Sequence, residues 1–441
     1  MKKKILITVA ILAMALVFFG CPPGGGEHKE YDDNIILSTK WPFPVGVAVP
    51  GAGTNNGGPI DDRNALSTNS NQHQFLKHFN VLVAENEMKP EQILPASRPS
   101  GNPSNWSVTS SGFNWTNAEA LANYAKDNNK KVRFHTLIWH DQTRPWFFRN
   151  SGNTALASKT ELYEHMEHYI RVVFEWVKAK GYEDTIIWWD VVNEAVSHDS
   201  KGARPPGGGN GQSRYTEIMR AAGSGTHDYE FIVKAFEWAR KYADENGCDN
   251  AQLYLTDFGV ERPFDRGSNP PVSKQDDFKT LVKYLIQQNA PIDGVGFQGH
   301  FRLYDHPVEQ ISAGIDMFAA IQKNGKNMMV QICELDFSVF SNAKSEGQDQ
   351  TISPDRLNTR LNDLAKTYRD FFLMFENKFN AGKLDMVVIW GIADGQSWLN
   401  NHPVSGRTDH PLLFNRNYKG KEAYNKLVSN RNTFPNPFEE D

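Results

Sequence analysis

Length, composition and charge describe an ordinary globular chain. It has 441 residues, of which 39% are hydrophobic and 22% charged, so it is long enough to bury a large core. The formal net charge of −5, without a basic stripe, argues against nucleic acid as a partner. Aromatic residues make up 12% of the chain, which suits either a large aromatic core or surfaces that stack on flat ligand faces.

The first residues are predicted to be a targeting segment. Three lysines at positions 2–4 precede an apolar run over residues 5–20, which is short for a membrane span. Cys21 follows directly, as in a bacterial lipobox, although Phe18 stands where such signals usually carry Leu. We expect residues 1–20 to be a lipoprotein-type signal peptide and Cys21 to be lipidated, with cleavage by an ordinary signal peptidase as the alternative.

Export sets expectations for location and for thiol chemistry. Residues 21–40 are predicted to be a flexible tether. A lipid on Cys21 would place the protein at the outer membrane or cell surface, and we expect no other contact with a membrane. Without the lipid, the protein would be secreted or periplasmic. Cys248 and Cys333 are too few for a disulfide framework. They could pair, but we favour two buried thiols that act as small apolar residues.

Residues 41–430 show no repeat and no break in composition, which indicates one domain followed by a C-terminal tail over residues 431–441. Helical patterns over residues 162–180, 229–243 and 354–379 alternate with short apolar runs. Nearly continuous apolar strands are typical of a parallel sheet covered on both faces. Eight strand–helix units predict an α/β fold, a (β/α)8 TIM barrel. The strand candidates lie near Val45, Val81, Lys131, Asp184, Gln252, Asp293, Met328 and Leu384.

A Gly/Pro-rich stretch over residues 204–211 follows the fourth strand candidate. Such a composition predicts a loop. A mobile flap at the active face and an insertion without a role both remain open.

Polar residues end the apolar strands repeatedly. The carboxyl ends of the strands form the active face of a (β/α)8 barrel, so these side chains predict a functional rim. The residues are Glu85, Asn86, His135, His140, Asn193, Glu194, Gln298, His300, Glu334, Asp336 and Trp390.

Two of these residues suit glycoside cleavage. Glu194 follows the fourth strand, and Glu334 lies on the seventh. A glycosidase needs one carboxyl that protonates the leaving oxygen and one that meets the reacting carbon. Glu334 must then be ionised and Glu194 protonated, and the negative charge of a nearby Glu334 raises the pKa of Glu194. Asn193, beside the acid, can hydrogen-bond a sugar hydroxyl. The alternative for Glu194 is a surface residue after a strand.

Seven ordered motifs resemble glycoside hydrolase family 10, whose main activity is endo-β-1,4-xylanase. The resemblance covers about residues 44–427. It rests on HFNVLVAENEMKP (78–90), RFHTLIWHDQTRPWF (133–147), WWDVVNEA (188–195), GVGFQGH (294–300), CELD (333–336), WGIADGQSW (390–398) and HPLLFNRNYKGKEAY (410–424).

The resemblance implies retaining, endo-acting hydrolysis of β-1,4-xylosidic bonds in xylan. Glu194 would be the acid/base and Glu334 the nucleophile. His140 and Asn193 would flank the two carboxylates. His300 would bridge Glu334 and Asp336 and hold the nucleophile in orientation.

The other matched residues are implied to bind substrate. A tight pocket walled by tryptophans and Lys89 would exclude the hydroxymethyl group of glucose and so favour xylan and xylo-oligosaccharides over cellulose. For Trp398, a core residue is the alternative. No metal or cofactor is implied, and we expect a monomer. The substrate set is Glu85, Asn86 and Lys89 on the glycone side, His135, Trp139 and Gln142 around the sugar nearest the cleaved bond, Gln298 at the reacting centre, and Trp390 and Trp398 as an aromatic lid.

One segment departs from the family pattern. After the fifth strand the family usually carries Asn-Asp-Tyr-Asn, whereas this chain has Thr256, Asp257, Phe258 and Gly259. A tyrosine hydroxyl and an amide are thereby lost. We expect binding of the leaving-group side, and hence product length, to differ.

Two rival interpretations remain. A related barrel glycosidase such as a β-glucanase would carry a similar carboxylate pair, but it would leave the ENEMKP and HTLIWH motifs unexplained. A non-catalytic glycan-binding lipoprotein on a decayed barrel is the rival from another class. The retention of Glu194, Glu334 and Asn193 argues against decay.

Overall fold

The fold is taken from a computed structural model that describes residues 31, 33–50, 64–110, 112–263, 273–341, 348–429, 431–435 and 438. The predicted signal peptide, Cys21 and residues 21–30 of the predicted tether lie outside the described residues.

Strands of the described residues occupy all eight predicted positions. They are β1 (Val45–Val49), β2 (Val81–Ala84), β3 (Lys131–Phe134), β4 (Ile138–Trp139), β5 (Ile186–Asn193), β6 (Gln252–Asp257), β7 (Gly294–Phe297), β8 (His300–Arg302), β9 (Gln322–Lys323), β10 (Lys326–Asn327), β11 (Met329–Ser338) and β12 (Leu384–Ile389).

Eight of the strands close into a parallel barrel, which confirms the predicted fold. The order around it is β1, β2, β3, β5, β6, β7, β11, β12, and β12 pairs with both β11 and β1. All residues of β1 and β2 are buried, because the barrel interior covers one face and the helices cover the other. The third predicted strand is interrupted between β3 and β4.

Helices surround the barrel. The three predicted helices are confirmed as α3 (Lys159–Lys180), α5 (Glu230–Glu245) and α8 (Pro354–Asn380), with every end within three residues of its predicted position. Helix α3 begins with a capping box between Ser158 and Glu161 and ends at Gly181, whose φ of 67° suits glycine. Within the described residues, no helix is both long and apolar enough to cross a membrane. The α-helices are α1 (Pro90–Ile93), α2 (Thr116–Asp127), α3 (Lys159–Lys180), α4 (Arg214–Ala221), α5 (Glu230–Glu245), α6 (Lys274–Gln287), α7 (Val308–Ala319), α8 (Pro354–Asn380) and α9 (Glu422–Val428).

The folded domain extends beyond residues 41–430 at both ends, which corrects the predicted limits of tether and tail. Leu37–Lys40 form a 3-10 helix, and the side chain of Leu37 is fully buried. Arg431 lies 3.9 Å over the ring of Trp41 and pairs with Glu376. An apolar side chain such as Leu37 gains free energy by leaving water, so this part of the tether packs on the barrel.

Cys248 and Cys333 are both buried and both free, as favoured from the sequence. The Cys333 thiol donates to the carbonyl oxygen of Phe297 at 3.2 Å.

Candidate active site

Hydrogen bonds between neighbouring strand ends build one rim from the predicted residues. The backbone N–H of Glu194 donates to Thr256 at 2.8 Å, and that of Glu334 donates to Gln298 at 2.7 Å. The N–H of Trp390 donates to Leu335 at 2.9 Å. Because all eight barrel strands are parallel, side chains far apart in sequence meet at their carboxyl ends.

The carboxylate of Glu334 is held by one histidine. Strand β8 pairs with β11 so that His300 lies opposite Asp336, and strand alternation places Glu334 on the same side as Asp336. His300 contacts Glu334 Oε2 through Nε2 at 3.2 Å and Asp336 Oδ2 through Nδ1 at 3.0 Å. This confirms the predicted bridge. The other oxygen of Glu334, Oε1, is buried and has no hydrogen-bond partner among the described residues.

The bridge determines the charges at this site. Burial lowers the pKa of His300, but the two carboxylates outweigh it and raise that pKa to about 10. Burial raises the pKa of Glu334, which is only 4% exposed. The hydrogen bond from His300 and the electrostatic influence of His135, His300 and Arg133 reverse this effect and lower the pKa of Glu334 to about 2. Glu334 is therefore ionised at neutral pH.

Glu194 has the opposite bias. Its Oε1 accepts a hydrogen bond from Gln298 at 2.9 Å, with Asn193 at 3.5 Å, and its Oε2 lies 3.2 Å from Arg204. Burial is the largest cause that raises its pKa, and Asp257 adds to it, whereas Arg204 opposes the rise. The predicted direction of the shift is confirmed. The predicted cause is not: burial is the largest cause, and the charge of Glu334 is not among the main causes of the rise.

The predicted glycone-side residues form one polar patch. Lys89 Nζ donates to Asn86 Oδ1 at 2.9 Å and lies 5.1 Å from the ring centroid of Trp139. Burial lowers the pKa of Lys89, and the charges of Glu334, Glu85 and Glu194 oppose this effect. Burial likewise raises the pKa of Glu85 to about 7, against the charge of Lys89. Lys89 thus lies among three carboxylates.

Aromatic and imidazole rings line the same rim. The ring of His135 lies edge-on to Trp390 at 5.6 Å, and His300 lies edge-on to Trp398 at 4.8 Å. Trp398 is partly exposed, and its indole N–H donates to Asp336 at 2.8 Å. Trp398 therefore holds Asp336 in place, in addition to its predicted role in the aromatic lid. The backbone carbonyl of Gln142 accepts from Glu91 at 2.7 Å.

A buried ion pair behind the rim is not predicted from the sequence. Arg133 and Asp190, both fully buried, pair with each other inside the barrel. Arg133 also donates to the carbonyl of Cys333 at 3.0 Å, and Asp190 contacts His135 Nδ1 at 2.8 Å. The pair thus supports His135 directly, and it supports Glu334 through the backbone of Cys333, the residue before it. Charged residues inside apolar strands are the signal that could have revealed it.

A second buried pair lies beside Phe258, on the predicted leaving-group side. Lys274 Nζ donates to Asp257 at 2.6 Å and lies 3.3 Å from the ring centroid of Phe258. Burial, reinforced by the positive charges of Arg204 and Lys274, lowers the pKa of His140 to about 2. His140 is therefore neutral. Lys274 is the first residue of α6, and no local sequence pattern predicts its role.

A parallel barrel whose rim carries one ionised carboxylate and one biased towards its proton defines a glycoside hydrolase that works with two glutamates. Among the described residues, no group of three His, Cys, Asp or Glu side chains is arranged to hold a metal ion. Residues 48–430 match the model of Glycosyl hydrolase family 10, and the chain belongs to that family.

Relatives and solved structures agree with this membership. Endo-1,4-beta-xylanase C of Paenibacillus barcinonensis is 33% identical over 405 residues, which are 90% of this chain and 33% of that protein. The thermostable celloxylanase of Thermoclostridium stercorarium is 33% identical over 398 residues, 88% of this chain and 84% of that protein. This chain therefore spans one third of the first relative and most of the second.

Two solved structures show the same architecture. A family 10 structure from Paenibacillus barcinonensis has a TM-score of 0.70 at 31% identity and covers 90% of this chain and 96% of its own. A xylanase of Thermoanaerobacterium saccharolyticum in complex with xylotetraose has a TM-score of 0.68 at 28% identity, with coverage of 90% and 99%.

Proposed function

We propose that this protein is a retaining endo-1,4-β-xylanase with Glu194 as acid/base and Glu334 as nucleophile. The opposite bias of the two carboxyl groups is the observation that carries the proposal. The protonated His300 keeps Glu334 ionised with one free oxygen, whereas burial favours the proton on Glu194. These are the two protonation states that the first step of a retaining hydrolysis needs.

The reaction follows from these states. Glu334 Oε1 attacks the anomeric carbon while Glu194 gives its proton to the leaving glycosidic oxygen, so the glycosidic bond breaks and a glycosyl ester forms. The ester removes the negative charge of Glu334. Glu194, now ionised, takes a proton from water, and the water oxygen attacks the anomeric carbon and releases Glu334. Two displacements retain the configuration of the sugar.

Xylan and xylo-oligosaccharides are the proposed substrates. The names of the relatives and the xylotetraose bound to the structural neighbour support this class. Lys89, with three donor hydrogens near Asn86 and the ring of Trp139, suits the hydroxyls and flat face of a xylose residue. We assign sugar contacts on the same grounds to the rest of the set: Glu85, His135, Gln142, Asn193, Gln298, Trp390 and Trp398.

Trapping and product analysis test the proposal together. The wild type should release a ladder of oligosaccharides from glucuronoarabinoxylan, and Glu334→Gln should release none. A 2-fluoro xylobioside with a good leaving group should add the mass of one 2-deoxy-2-fluoroxylobiosyl group to a peptide that contains Glu334. Glu217→Gln, a change on the surface of α4, is the matched control. Binding of xylan by the wild type without release of sugar would instead favour the glycan-binding interpretation.

Activity on β-1,4-glucan is the second candidate, because one relative is named a celloxylanase. Parallel assays on xylan and on carboxymethylcellulose separate the two. A higher kcat/KM on the glucan would overturn the preference for xylan.

We also propose that the protein is exported and anchored through a lipid on Cys21. The lysines at positions 2–4, the apolar run and the cysteine that follows it support this. In cells fed a radiolabelled fatty acid, the wild type should carry label in the membrane fraction, and Cys21→Ala should not. An unlabelled wild type in the culture supernatant would favour ordinary secretion.

A further inference from the structure

Arg204 contacts Glu194, the proposed acid/base residue, through two nitrogens of its guanidinium, Nε and Nη2. Its side chain is only 5% exposed, although it begins the Gly/Pro-rich stretch 204–211. Nη2 lies 3.2 Å from Glu194 Oε2, and Nε donates to the backbone carbonyl of Glu194 at 2.5 Å. A planar guanidinium suits this double contact, which a lysine cannot reproduce. The start of this stretch is therefore tied to the site.

The backbone of Glu194 gives this contact a specific task. Its φ of 57° lies in the left-handed region, which is unfavourable for a residue with a side chain. Hydrogen bonds hold the residue on both sides: its N–H donates to Thr256 at 2.8 Å, and its carbonyl accepts from Arg204. The conformation that turns the carboxylate into the rim is therefore maintained partly by Arg204.

All hydrogen-bonding groups that contact the carboxylate of Glu194 in the described residues are donors, namely those of Asn193, Gln298 and Arg204. Within the same residues, Arg204 forms the one ion pair with Glu194, because the Lys274 ammonium is bound to Asp257. Donors and a cation favour the ionised carboxylate over the protonated one. The titratable and charged groups around Glu194 are Lys89 at α1, the neutral His140 after β4, Arg204 after β5, Asp257 on β6, Lys274 on α6 and Glu334 on β11.

We propose that Arg204 is a positioning residue that stabilises the ionised form of Glu194 and thereby supports the second half of the reaction. This rests on the proposed function. In the first half, Glu194 must hold a proton, which Arg204 disfavours and burial favours. In the second half, Glu194 must be an anion that accepts a proton from water, and the ion pair with Arg204 then stabilises the protonation state that this step needs. Arg204 thus balances two steps that need opposite protonation states.

Two substrates separate the two steps. Phenyl β-xylobioside has a poor leaving group, so its first step needs the proton of Glu194. 2,4-Dinitrophenyl β-xylobioside needs no such proton, so attack of water limits its kcat. In Arg204→Met, we expect the basic limb of kcat/KM for the phenyl glycoside to move up by about one pH unit. We expect kcat for the dinitrophenyl glycoside to fall about tenfold.

Azide provides a readout that a merely structural role would not move. It attacks the glycosyl-enzyme without a general base, so it should restore kcat of Arg204→Met on the dinitrophenyl substrate and give xylobiosyl azide. Arg204→Lys, which keeps the charge, should retain the basic limb of the wild type. Arg214→Met is the matched control, because Arg214 lies beyond the same stretch and pairs with Glu217 on the surface.

The outcomes are distinguishable. If the wild type hydrolyses both glycosides while Arg204→Met lowers both rates equally, with an unmoved basic limb and no response to azide, Arg204 only orders the loop and the inference fails. If Arg204→Met does not fold, Arg204→Lys decides: a lowered kcat on the dinitrophenyl substrate without azide rescue also overturns it. If the wild type hydrolyses neither glycoside, the proposed function itself fails.

Discussion

Replacement of His300 by glutamine tests the electrostatic basis of the proposed nucleophile, Glu334. Glutamine can still donate a hydrogen bond but carries no charge. In the wild type, the pKa of Glu334 is lowered from its ordinary value of 4.5 to about 2 although burial raises it. Loss of the imidazolium charge leaves the buried carboxylate with less compensation, so Glu334 should keep its proton at a higher pH.

The magnitude follows from the shift. The difference between 4.5 and about 2 is about 2.5 units, which corresponds to about 3 kcal/mol in favour of the ionised form. His300 supplies part of it, because His135 and Arg133 also contribute. We therefore expect the acid limb of kcat/KM to rise by about one to two pH units in His300→Gln.

The assay is kcat/KM for an aryl β-xylobioside between pH 2.5 and 7, with tryptophan fluorescence at each pH to confirm that the variant stays folded. His227→Gln is the control, because that ring stacks on Tyr284 away from the rim. A uniform loss of activity with an unmoved acid limb would refute the electrostatic role and leave His300 a purely steric support.

Three further predictions use other parts of the structure. Phe258→Tyr should change the lengths of products from xylan but leave cleavage of short aryl glycosides nearly unaltered; equal effects on both substrates would contradict a role on the leaving-group side. Arg133→Met removes the guanidinium partner of the buried Asp190 and leaves its carboxylate, among the described residues, only the contact with His135, so urea unfolding should show a loss of about 3–5 kcal/mol, against at most about 1 kcal/mol for the exposed pair removed by Arg220→Met. The pKa of His300 is raised from 6.5 to about 10, so the contribution of His300 to the stability of the fold is complete below pH 6.5 and is lost as pH rises through about 10. The pKa of Glu334 is lowered from 4.5 to about 2, so the contribution of Glu334 is present above pH 4.5 and is lost as pH falls through about 2. The difference in unfolding free energy between wild type and His300→Gln should therefore be largest between pH 4.5 and 6.5 and decrease on both sides, and a difference that is constant with pH would contradict these shifts.

The barrel and its two glutamates can be predicted from the sequence. Each strand is a short apolar run, and each of the three long helices has an amphipathic period, so local pattern and tertiary packing agree. Glu194 and Glu334 end such runs, and the parallel order of the strands brings them to one rim. The partner of the nucleophile is also predictable, because His300 and Asp336 lie within the matched motifs.

Only the tertiary structure decides which charged side chains lie in contact with one another. Arg133 and Asp190 lie in neighbouring strands but 57 positions apart in the chain, and Lys274 reaches Asp257 from a helix. Arg204 lies in a stretch whose composition predicts a loop, either a flap at the active face or an insertion without a role, and its side chain is buried against Glu194. The protonation states of the two glutamates depend on burial and on these distant charges. Sequence therefore determines the fold and the identity of the reacting groups, whereas only the packed barrel determines the bias of their pKa values, because electrostatic interactions depend on distance in space and on exclusion of water.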